Sequence, residues 1–424
     1  MGKRFYYFLL CTLTVSFLFG FAFSEKENKK ADQNQKVDQC FTCHKEIDNL
    51  PKDFSENDIH RHANLSCSSC HGGDPNSDDQ DVAMSPSKGF VGVPKRKDIP
   101  KFCGKCHSNI NIMRVYQPRI ATDQVEQYYT SVHGKKLLAG DENVAECSSC
   151  HTAHSILPAK DPRSSVYALN VPNTCNKCHG NSSLMKNYNI PVNQLEEYSK
   201  SVHGIALLKN KDISAPACND CHGNHGATPP GLKSISHVCG TCHVSNMEFF
   251  NATRMAKAFE EQDFHGCEQC HGNHGVQKPN DEMIGVGKES KCTDCHSEGD
   301  KGYNVSKNIY SSLTKLKKEY DTANAKYLEV RQKGMNDVEI GFQLQDAKQA
   351  LIQSRTLIHT FDSVKVGAKV KEGIEFSNKA SMLAQKEIDD YSTRRNGFAI
   401  ATLAFLVFVI ALYFKIKDKE KKAS

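Results

Sequence analysis

Residues 103–107 read Cys-Gly-Lys-Cys-His, and this Cys-x-x-Cys-His pattern occurs nine times between Cys40 and His296. Two thiols three positions apart can form thioether bonds to the two vinyl groups of one haem, which leaves the next imidazole beneath the iron. Zinc knuckles, redox dithiols and structural disulfides use the same cysteine spacing, but none of them requires a histidine directly afterwards. The nine motifs therefore predict nine covalently attached haem c groups, held by eighteen of the nineteen cysteines.

The predicted attachment residues and proximal iron ligands follow directly from the motifs. The cysteines are Cys40, Cys43, Cys67, Cys70, Cys103, Cys106, Cys147, Cys150, Cys175, Cys178, Cys218, Cys221, Cys239, Cys242, Cys267, Cys270, Cys292 and Cys295. The proximal histidines are His44, His71, His107, His151, His179, His222, His243, His271 and His296.

Nine further histidines in this region equal the number of sixth coordination positions, which predicts two histidine ligands on every iron. They are His60, His62, His133, His154, His203, His225, His237, His265 and His274. His60 and His62 are so close that one of them can drop out, and His237 has no repeat counterpart. One iron would then take another ligand or stay open. The spare is His359, for which a place on a helix surface is the favoured interpretation.

Three of these histidines, His154, His225 and His274, lie three residues after a proximal histidine. A side chain at that distance cannot reach the opposite face of the same porphyrin. We therefore expect each to bind the iron of a different haem and so to tie two haems together; the alternative is an ordinary surface histidine.

The haem-binding region is internally repetitive. The segment from Cys103 to the Cys147 motif matches the segment from Cys175 to the Cys218 motif, including Ser-Val-His-Gly at 131–134 and 201–204. A shorter copy begins at Cys239 and a degenerate one at Cys40. Four two-haem repeats, which we number 1 to 4 from Cys40, Cys103, Cys175 and Cys239, and a closing haem at Cys292 account for all nine motifs. Such repeats usually stack linearly.

Composition predicts a mostly α and irregular fold whose core is porphyrin. The chain has no Trp and only 38% apolar residues, which is little for side-chain packing in a domain of this size. A covalent attachment about every thirty residues also removes much of the chain entropy. We expect short helices and long loops from 40 to 302, after a polar leader at 25–39.

The two ends of the sequence predict the location. Residues 1–24 resemble a signal peptide, with Lys3 and Arg4, an apolar run and small residues before Glu25; an uncleaved anchor is the alternative. Residues 396–414 are long and apolar enough for a transmembrane helix. The lysines of the tail at 415–424 place the C-terminus in the cytoplasm. This predicts a single-pass protein of the inner membrane with periplasmic haems.

Residues 303–395 are charge-rich and predicted to be helical. Apolar residues from Ile309 to Val330 recur at steps of four and three, and a second helix is expected after Gly334, with Asp337 as its N-cap. The region is interpreted as a helical hairpin whose second arm, if unbroken, forms a stalk to the membrane. A folded helical domain packed on the haems is the alternative.

The chain resembles the periplasmic multihaem cytochromes c with doubled Cys-x-x-Cys-His motifs. The likeness lies in the motifs at 218–225 and 267–274, the Ser-Val-His-Gly segments and the C-terminal helix leading into one membrane span. It implies electron transfer between the membrane quinol pool, or a membrane cytochrome partner, and periplasmic or outer-membrane acceptors. Some relatives are instead enzymes, commonly with a lysine in place of one motif histidine; all nine motifs here end in histidine.

Two functions remain as hypotheses. An electron carrier needs only closely spaced low-spin irons, whereas a reductase of a small nitrogen or sulfur oxyanion needs one iron with an open position. The formal charge of +5 does not indicate nucleic-acid binding, because each haem adds two propionates that the basic residues would serve first.

Overall fold

The computed structural model describes residues 38–229, 231–232 and 235–423, and all regular secondary structure in these ranges is helical. The predicted signal peptide at 1–24 and all of the leader before Asp38 lie outside the described residues. The chain forms two compact units, Met1–Tyr167 and Ala168–Ser424. The boundary falls between repeats 2 and 3, inside the predicted haem region.

The first unit contains short α-helices joined by loops. They are α1 (Gln39–Glu46), α2 (Ile59–His62), α3 (Cys67–His71), α4 (Gln80–Ala83), α5 (Ile99–His107), α6 (Ile110–Tyr116), α7 (Gln124–Thr130), α8 (Val132–Leu138) and α9 (Cys147–His151). Two 3-10 helices lie at Pro86–Lys88 and Arg96–Asp98.

The second unit begins in the same way and ends in three long helices. The short ones are α10 (Val171–His179), α11 (Ser182–Met185), α12 (Gln194–Lys200), α13 (Val202–Gly204), α14 (Cys218–His222), α15 (Val244–Asn251), α16 (Arg254–Glu261) and α17 (Glu268–His271). The long ones are α18 (Lys301–Gln332), α19 (Val338–Leu357) and α20 (Ser363–Ala423). Lys186–Tyr188, Ile235–Thr241, Asp281–Met283, Cys292–Asp294 and Ile358–Thr360 are 3-10 helices, and Ile205–Lys209 is a π-helix.

The Ser-Val-His-Gly segments of repeats 2 and 3 adopt the same local structure. Ser131 is the N-cap of α8, and its hydroxyl accepts a hydrogen bond from the Gly134 N–H at 3.0 Å. Ser201 and Gly204 do the same at 2.9 Å. A Cβ on either glycine would overlap a backbone carbonyl of the preceding helix. The sequence repeat is therefore also a structural repeat, in which the capped turn fixes where the intervening histidine lies.

The long helices form a three-helix bundle with two apolar clusters. Leu313 and Leu316 of α18 are fully buried against Leu351 of α19 and Val366 of α20. The predicted apolar stripe of the first helix is confirmed. Gly373 lies where the three helices come closest, since a Cβ there would lie 2.8 Å from a Leu316 methyl and 3.1 Å from Ala350.

The helical region differs from the predicted hairpin in one respect. The hairpin is present as α18 and α19, but the chain does not continue unbroken beyond it. Phe361 adopts a left-handed conformation, with φ of 48°, and Asp362 accepts hydrogen bonds from the Val364 and Lys365 N–H groups. This carboxylate caps a third helix, α20, which returns along the other two. Asp337 is at the predicted N-cap of α19, but its carboxylate pairs with Arg331 instead of capping.

The bundle packs on the end of the haem-binding region. Arg355 of α19 makes a bidentate ion pair with Asp281 at 2.9 and 2.7 Å. Tyr310 of α18 donates to Glu282 at 3.0 Å, and Ser306 exchanges hydrogen bonds with the backbone of Gly285. These contacts are those of a folded helical domain packed on the segment that precedes the ninth motif.

The C-terminal part of α20 is apolar and exposed. Within the described part of the chain, this is the one helix whose length and hydropathy are sufficient to cross a membrane, and its most apolar window is entirely unburied. The large hydrophobic side chains between Phe398 and Ile416 are exposed. The helix fits a single-pass membrane anchor.

Candidate functional site

The motif cysteines and histidines lie on or beside the short helices. Motif histidines end α3, α5, α9, α10, α14 and α17, and His44 lies within α1. His243 and His296 follow 3-10 helices that contain part of their motifs. None of the eighteen motif cysteines is joined in a disulfide in the structure. Over the described residues no three His, Cys, Asp or Glu side chains converge as a zinc site requires.

Five proximal histidines lie opposite a histidine from outside the motifs. The ring centroids are 6.0 Å apart for His107 and His60, 6.2 Å for His71 and His154, 6.3 Å for His243 and His203, 5.8 Å for His222 and His274, and 6.2 Å for His271 and His359. In each of these pairs one ring belongs to a motif and the other does not. All five close ring pairs therefore join a predicted proximal histidine to a histidine outside the motifs.

This spacing fits an iron held between the two rings. Bonds from a metal ion to imidazole nitrogen are about 2 Å long, so two such bonds on opposite sides place the ring centres about 6 Å apart. Each pair of one motif and one non-motif histidine therefore has the spacing of the two axial ligands of one haem. The donor set is the one that covalent haem c requires, with two cysteines beside each proximal histidine.

The pairs follow a regular exchange between neighbouring repeats. The histidine between the two motifs of a repeat lies against the first motif of the next repeat, as His60 does with His107 and His203 with His243. The histidine three residues after the second motif lies against the second motif of the preceding repeat, as His154 does with His71 and His274 with His222. The first repeat has Asp74 in place of a histidine at that position.

Hydrogen bonds fix which ring nitrogen is available. The Nδ1 atoms of His71 and His359 lie 2.8 and 3.0 Å from the carbonyl oxygens of Gly92 and Thr356. A carbonyl oxygen can only accept, so Nδ1 donates and Nε2 keeps its lone pair. A ligating histidine usually makes such a bond with its second nitrogen.

Two carboxylates perform the same role for distal histidines in the first unit. Asp53 accepts from His154 Nδ1 at 2.9 Å and from the Ala153 and His154 N–H groups at 2.9 and 3.0 Å. Burial alone would raise the pKa of Asp53, but these hydrogen bonds hold the pKa at about 2. Asp58 likewise accepts from His60 Nδ1 at 3.2 Å and from the Ile156 N–H at 2.7 Å. Both carboxylates are therefore fixed acceptors that orient an imidazole.

Burial favours neutral imidazoles in the second unit. It lowers the pKa of His179, His203, His222, His271 and His359, with neighbouring histidines as a smaller cause. The neutral ring is the form that binds a metal ion.

Cysteine contacts give the order of the attachment sites within each unit. In repeats 2, 3 and 4 the two leading cysteines lie close enough to affect each other's ionisation, which pairs Cys103 with Cys147, Cys175 with Cys218 and Cys239 with Cys267. In repeat 1 the Asp38 carboxylate accepts from the N–H groups of both Cys40 and Cys67.

Between neighbouring repeats, the interacting cysteines are those of the second motif of one repeat and the first motif that follows it. Cys70 interacts electrostatically with Cys106 and Cys103, Cys221 with Cys239 and Cys242, and Cys270 with Cys292 and Cys295. Neighbours along the chain are thus neighbours in space from Cys40 to Cys147 and from Cys175 to Cys295.

The remaining predicted ligands lie near the motifs on various elements. His62 shares α2 with His60, but residues two apart on a helix face different sides. His133 lies on α8, His237 in the 3-10 helix Ile235–Thr241, His225 just after α14 and His265 just before Cys267.

The structure places His359 in a different position from the helix surface that the sequence favoured. It lies half-buried in the 3-10 turn that follows α19, with its ring centroid 6.2 Å from that of His271 and an interplanar angle of 25°. The sequence signal was the capping residue Asp362, which ends the hairpin arm and places a turn at 358–361.

Comparisons with known proteins support this assignment at the level of protein class. A family model described as cytochrome c3 matches residues 59–180, and one described as cytochrome c554 and c-prime matches residues 21–72. Neither the curated proteins nor the solved structures gave a match. Cytochrome c families imply covalently bound haem c and suggest electron transfer. The two matches and the repeated motif together support a multihaem c-type cytochrome.

Proposed function

We propose that the protein is a membrane-anchored cytochrome with nine haems that carries electrons between the membrane and periplasmic or outer-membrane acceptors. The observation that carries the proposal is the set of five imidazole pairs, each with one motif and one non-motif histidine about 6 Å apart. Irons with two histidine ligands are low-spin and suited to electron transfer. No substrate pocket is needed for this activity.

The pairs assign axial ligands within the proposal. His107 would share its iron with His60, His71 with His154, His243 with His203 and His222 with His274. Each of these irons is attached to one repeat and completed by another. Ligand exchange of this kind fixes neighbouring haems at a constant distance, which matters because tunnelling rates depend on separation.

The cysteine contacts supply a route. Because attachment sites that follow one another in sequence also lie together, electrons would pass along the haems in chain order within each compact unit. When bound, the haems supply reversible one-electron chemistry. The protein supplies attachment, two imidazoles per iron, and carboxylate or carbonyl acceptors such as Asp53 and Asp58 that hold the rings.

The membrane anchor supports a partner in the membrane. The exposed apolar part of α20 would span the bilayer, and the lysines after it would keep the C-terminus in the cytoplasm, so that the haems face the periplasm. Electron donors or acceptors would then be quinol-oxidising or cytochrome proteins of the membrane on one side and soluble or outer-membrane redox proteins on the other.

The decisive experiment is a haem count combined with spectroscopy of the purified protein. Intact mass should include nine haem increments, and electron paramagnetic resonance of the oxidised protein should be dominated by low-spin signals. Carbon monoxide or nitrite binding to a stoichiometric high-spin iron would instead favour the reductase. A mass without haem, or zinc in its place, would contradict both.

A further inference from the structure

The ligand exchange between repeats leaves two motif histidines, His44 at the start and His271 at the end, without a histidine from a neighbouring repeat. Repeat 4 is followed by a lone motif, Cys292-Thr-Asp-Cys-His296, and the residue three positions after His296 is Gly299. There is thus no fifth repeat to supply the histidine that would lie against His271. In the structure the ring opposite His271 is His359, from the helical bundle, at 6.2 Å.

The 6.2 Å separation of the His271 and His359 rings lies within the range of the other pairs. The separation is 6.2 Å for His71 and His154 and 5.8 Å for His222 and His274, with interplanar angles of 11° and 24° against 25° for His271 and His359. The bundle therefore places His359 opposite His271 in the way that a further repeat would place its own histidine.

The turn that carries His359 is held against the haem-binding region from two sides. On one side the ring of Phe361 makes an edge contact with Phe250 of α15, at 6.3 Å between centroids. On the other, Arg355 is bound to Asp281 by two charge-assisted hydrogen bonds. The Thr356 carbonyl accepts from His359 Nδ1, which leaves Nε2 as the only free ring nitrogen.

We propose that His359 is the distal ligand of the haem attached to Cys267 and Cys270, so that the helical bundle takes the place of a fifth repeat. This inference rests on the proposed function, since it requires a haem on that motif. It goes further by giving the bundle a role in the redox centre itself. Ligation of this iron and docking of the bundle on repeat 4 then depend on each other, and α20, which begins four residues later, connects that haem to the membrane helix.

The test is the full-length holoprotein with His359→Ala. Removing the imidazole should convert one of the nine irons from low-spin to high-spin and add one carbon monoxide site per molecule. Added imidazole should restore the low-spin signal. Gln353→Ala is the matched control, because Gln353 is exposed on α19, just before the turn that carries His359, and should leave both readouts unchanged. Unchanged spin state and carbon monoxide stoichiometry in His359→Ala would overturn the inference.

A ligand replacement provides a second measurement, and it decides the matter if His359→Ala does not accumulate. His359→Met keeps a sixth ligand, so the iron should stay low-spin while its reduction potential rises, because methionine favours the ferrous state. A redox titration in which no haem moves upward would contradict the inference. Failure of the wild-type protein to show nine low-spin haems would instead count against the proposed function, which keeps the two outcomes separate.

Discussion

The haem-binding region and the three-helix bundle are stabilised in different ways. Among the described residues, nine buried apolar side chains are spread over 38–300, whereas fourteen are concentrated in 301–423, mostly in two continuous clusters. Short helices such as α3 and α9 have too few residues to be stable alone, while α18 and α19 bury regular apolar stripes. The haem-binding region therefore has few buried apolar side chains of its own, whereas the bundle has a continuous side-chain core.

The largest expected effect comes from withholding haem. Without haem attachment, we expect residues 38–300 to be unfolded and quickly cleaved, since ligand binding free energy is then missing from folding, as in metal-dependent small domains. The bundle should keep its helices, because its core contains side chains alone. Limited proteolysis with mass mapping of protein made in cells without cytochrome c maturation would measure this.

An equal response of the two regions to the absence of haem would contradict this difference in how they are stabilised. A protease-resistant fragment that covers the motifs in the apoprotein would mean that side-chain packing suffices there. Circular dichroism in detergent provides the control, since helical signal from α18 to α20 should remain.

Truncation of a core side chain in the bundle should affect the bundle and leave the haem-binding region unchanged. Leu316→Ala removes a fully buried side chain from the bundle and should destabilise that region by about 2–5 kcal/mol, because a cavity remains. The number of attached haems should not change. Chemical denaturation followed by circular dichroism and by haem absorbance separates the two regions.

The matched control is Leu328→Ala, in which a leucine of the same helix is 47% exposed. It should change the free energy of unfolding by less than about 0.5 kcal/mol. Equal losses in Leu316→Ala and Leu328→Ala would show that the bundle core is not organised as described.

A carboxylate beside a distal ligand tests how the haem region positions its imidazoles. Asp53→Ala removes the acceptor from His154 Nδ1, which lowers the basicity of that ring and loosens its orientation. We expect about a 10–100-fold weaker axial bond, seen as easier displacement by carbon monoxide, and a higher potential for one haem. Asp78→Ala, at an exposed carboxylate in the same unit, should behave as wild type. A potential that stays fixed in Asp53→Ala would argue against ligation by His154.

The smallest expected effect concerns backbone strain at the end of a motif helix. Gly72, Gly223 and Gly272 follow second-motif histidines with φ of 71°, 79° and 72°, but repeat 2 has Thr152 there, with φ of 67° and ψ of −176°. That conformation is strained for a residue with a Cβ. Thr152→Gly should therefore stabilise the first unit by about 1 kcal/mol, after the entropy cost of glycine is subtracted. Thermal unfolding of the holoprotein measures it.

The reverse change provides the control for that prediction. Gly272 has open space where a Cβ would lie, so Gly272→Thr should destabilise through strain alone. A Thr152→Gly protein that melts at a lower temperature would mean that the threonine hydroxyl, which accepts from Ser155, outweighs the strain.

Much of the fold could be predicted because its determinants are local in sequence. The apolar steps from Ile309 to Val330 predicted the buried face of α18, and the absence of strands among the described residues agrees with the expected mostly α and irregular class. The third helix was missed because the phase of the apolar pattern shifts near Gly367 and Gly373, while the actual break is at Phe361. A single left-handed residue with a capping aspartate after it leaves little trace in a periodicity.

The sequence by itself determined the nine motifs, which predict the haem-attachment cysteines and proximal histidines, and the apolar segment in which a membrane helix can form, because each depends on residues adjacent along the chain. Only the tertiary structure decided which non-motif histidine lies against which proximal one, and that His359 lies against His271. These histidines come from segments tens of residues away, and their approach is fixed by packing, as with Arg355 on Asp281 and Phe361 on Phe250. The spacing of residues along the chain predicts covalent attachment, but it does not predict which surfaces pack together.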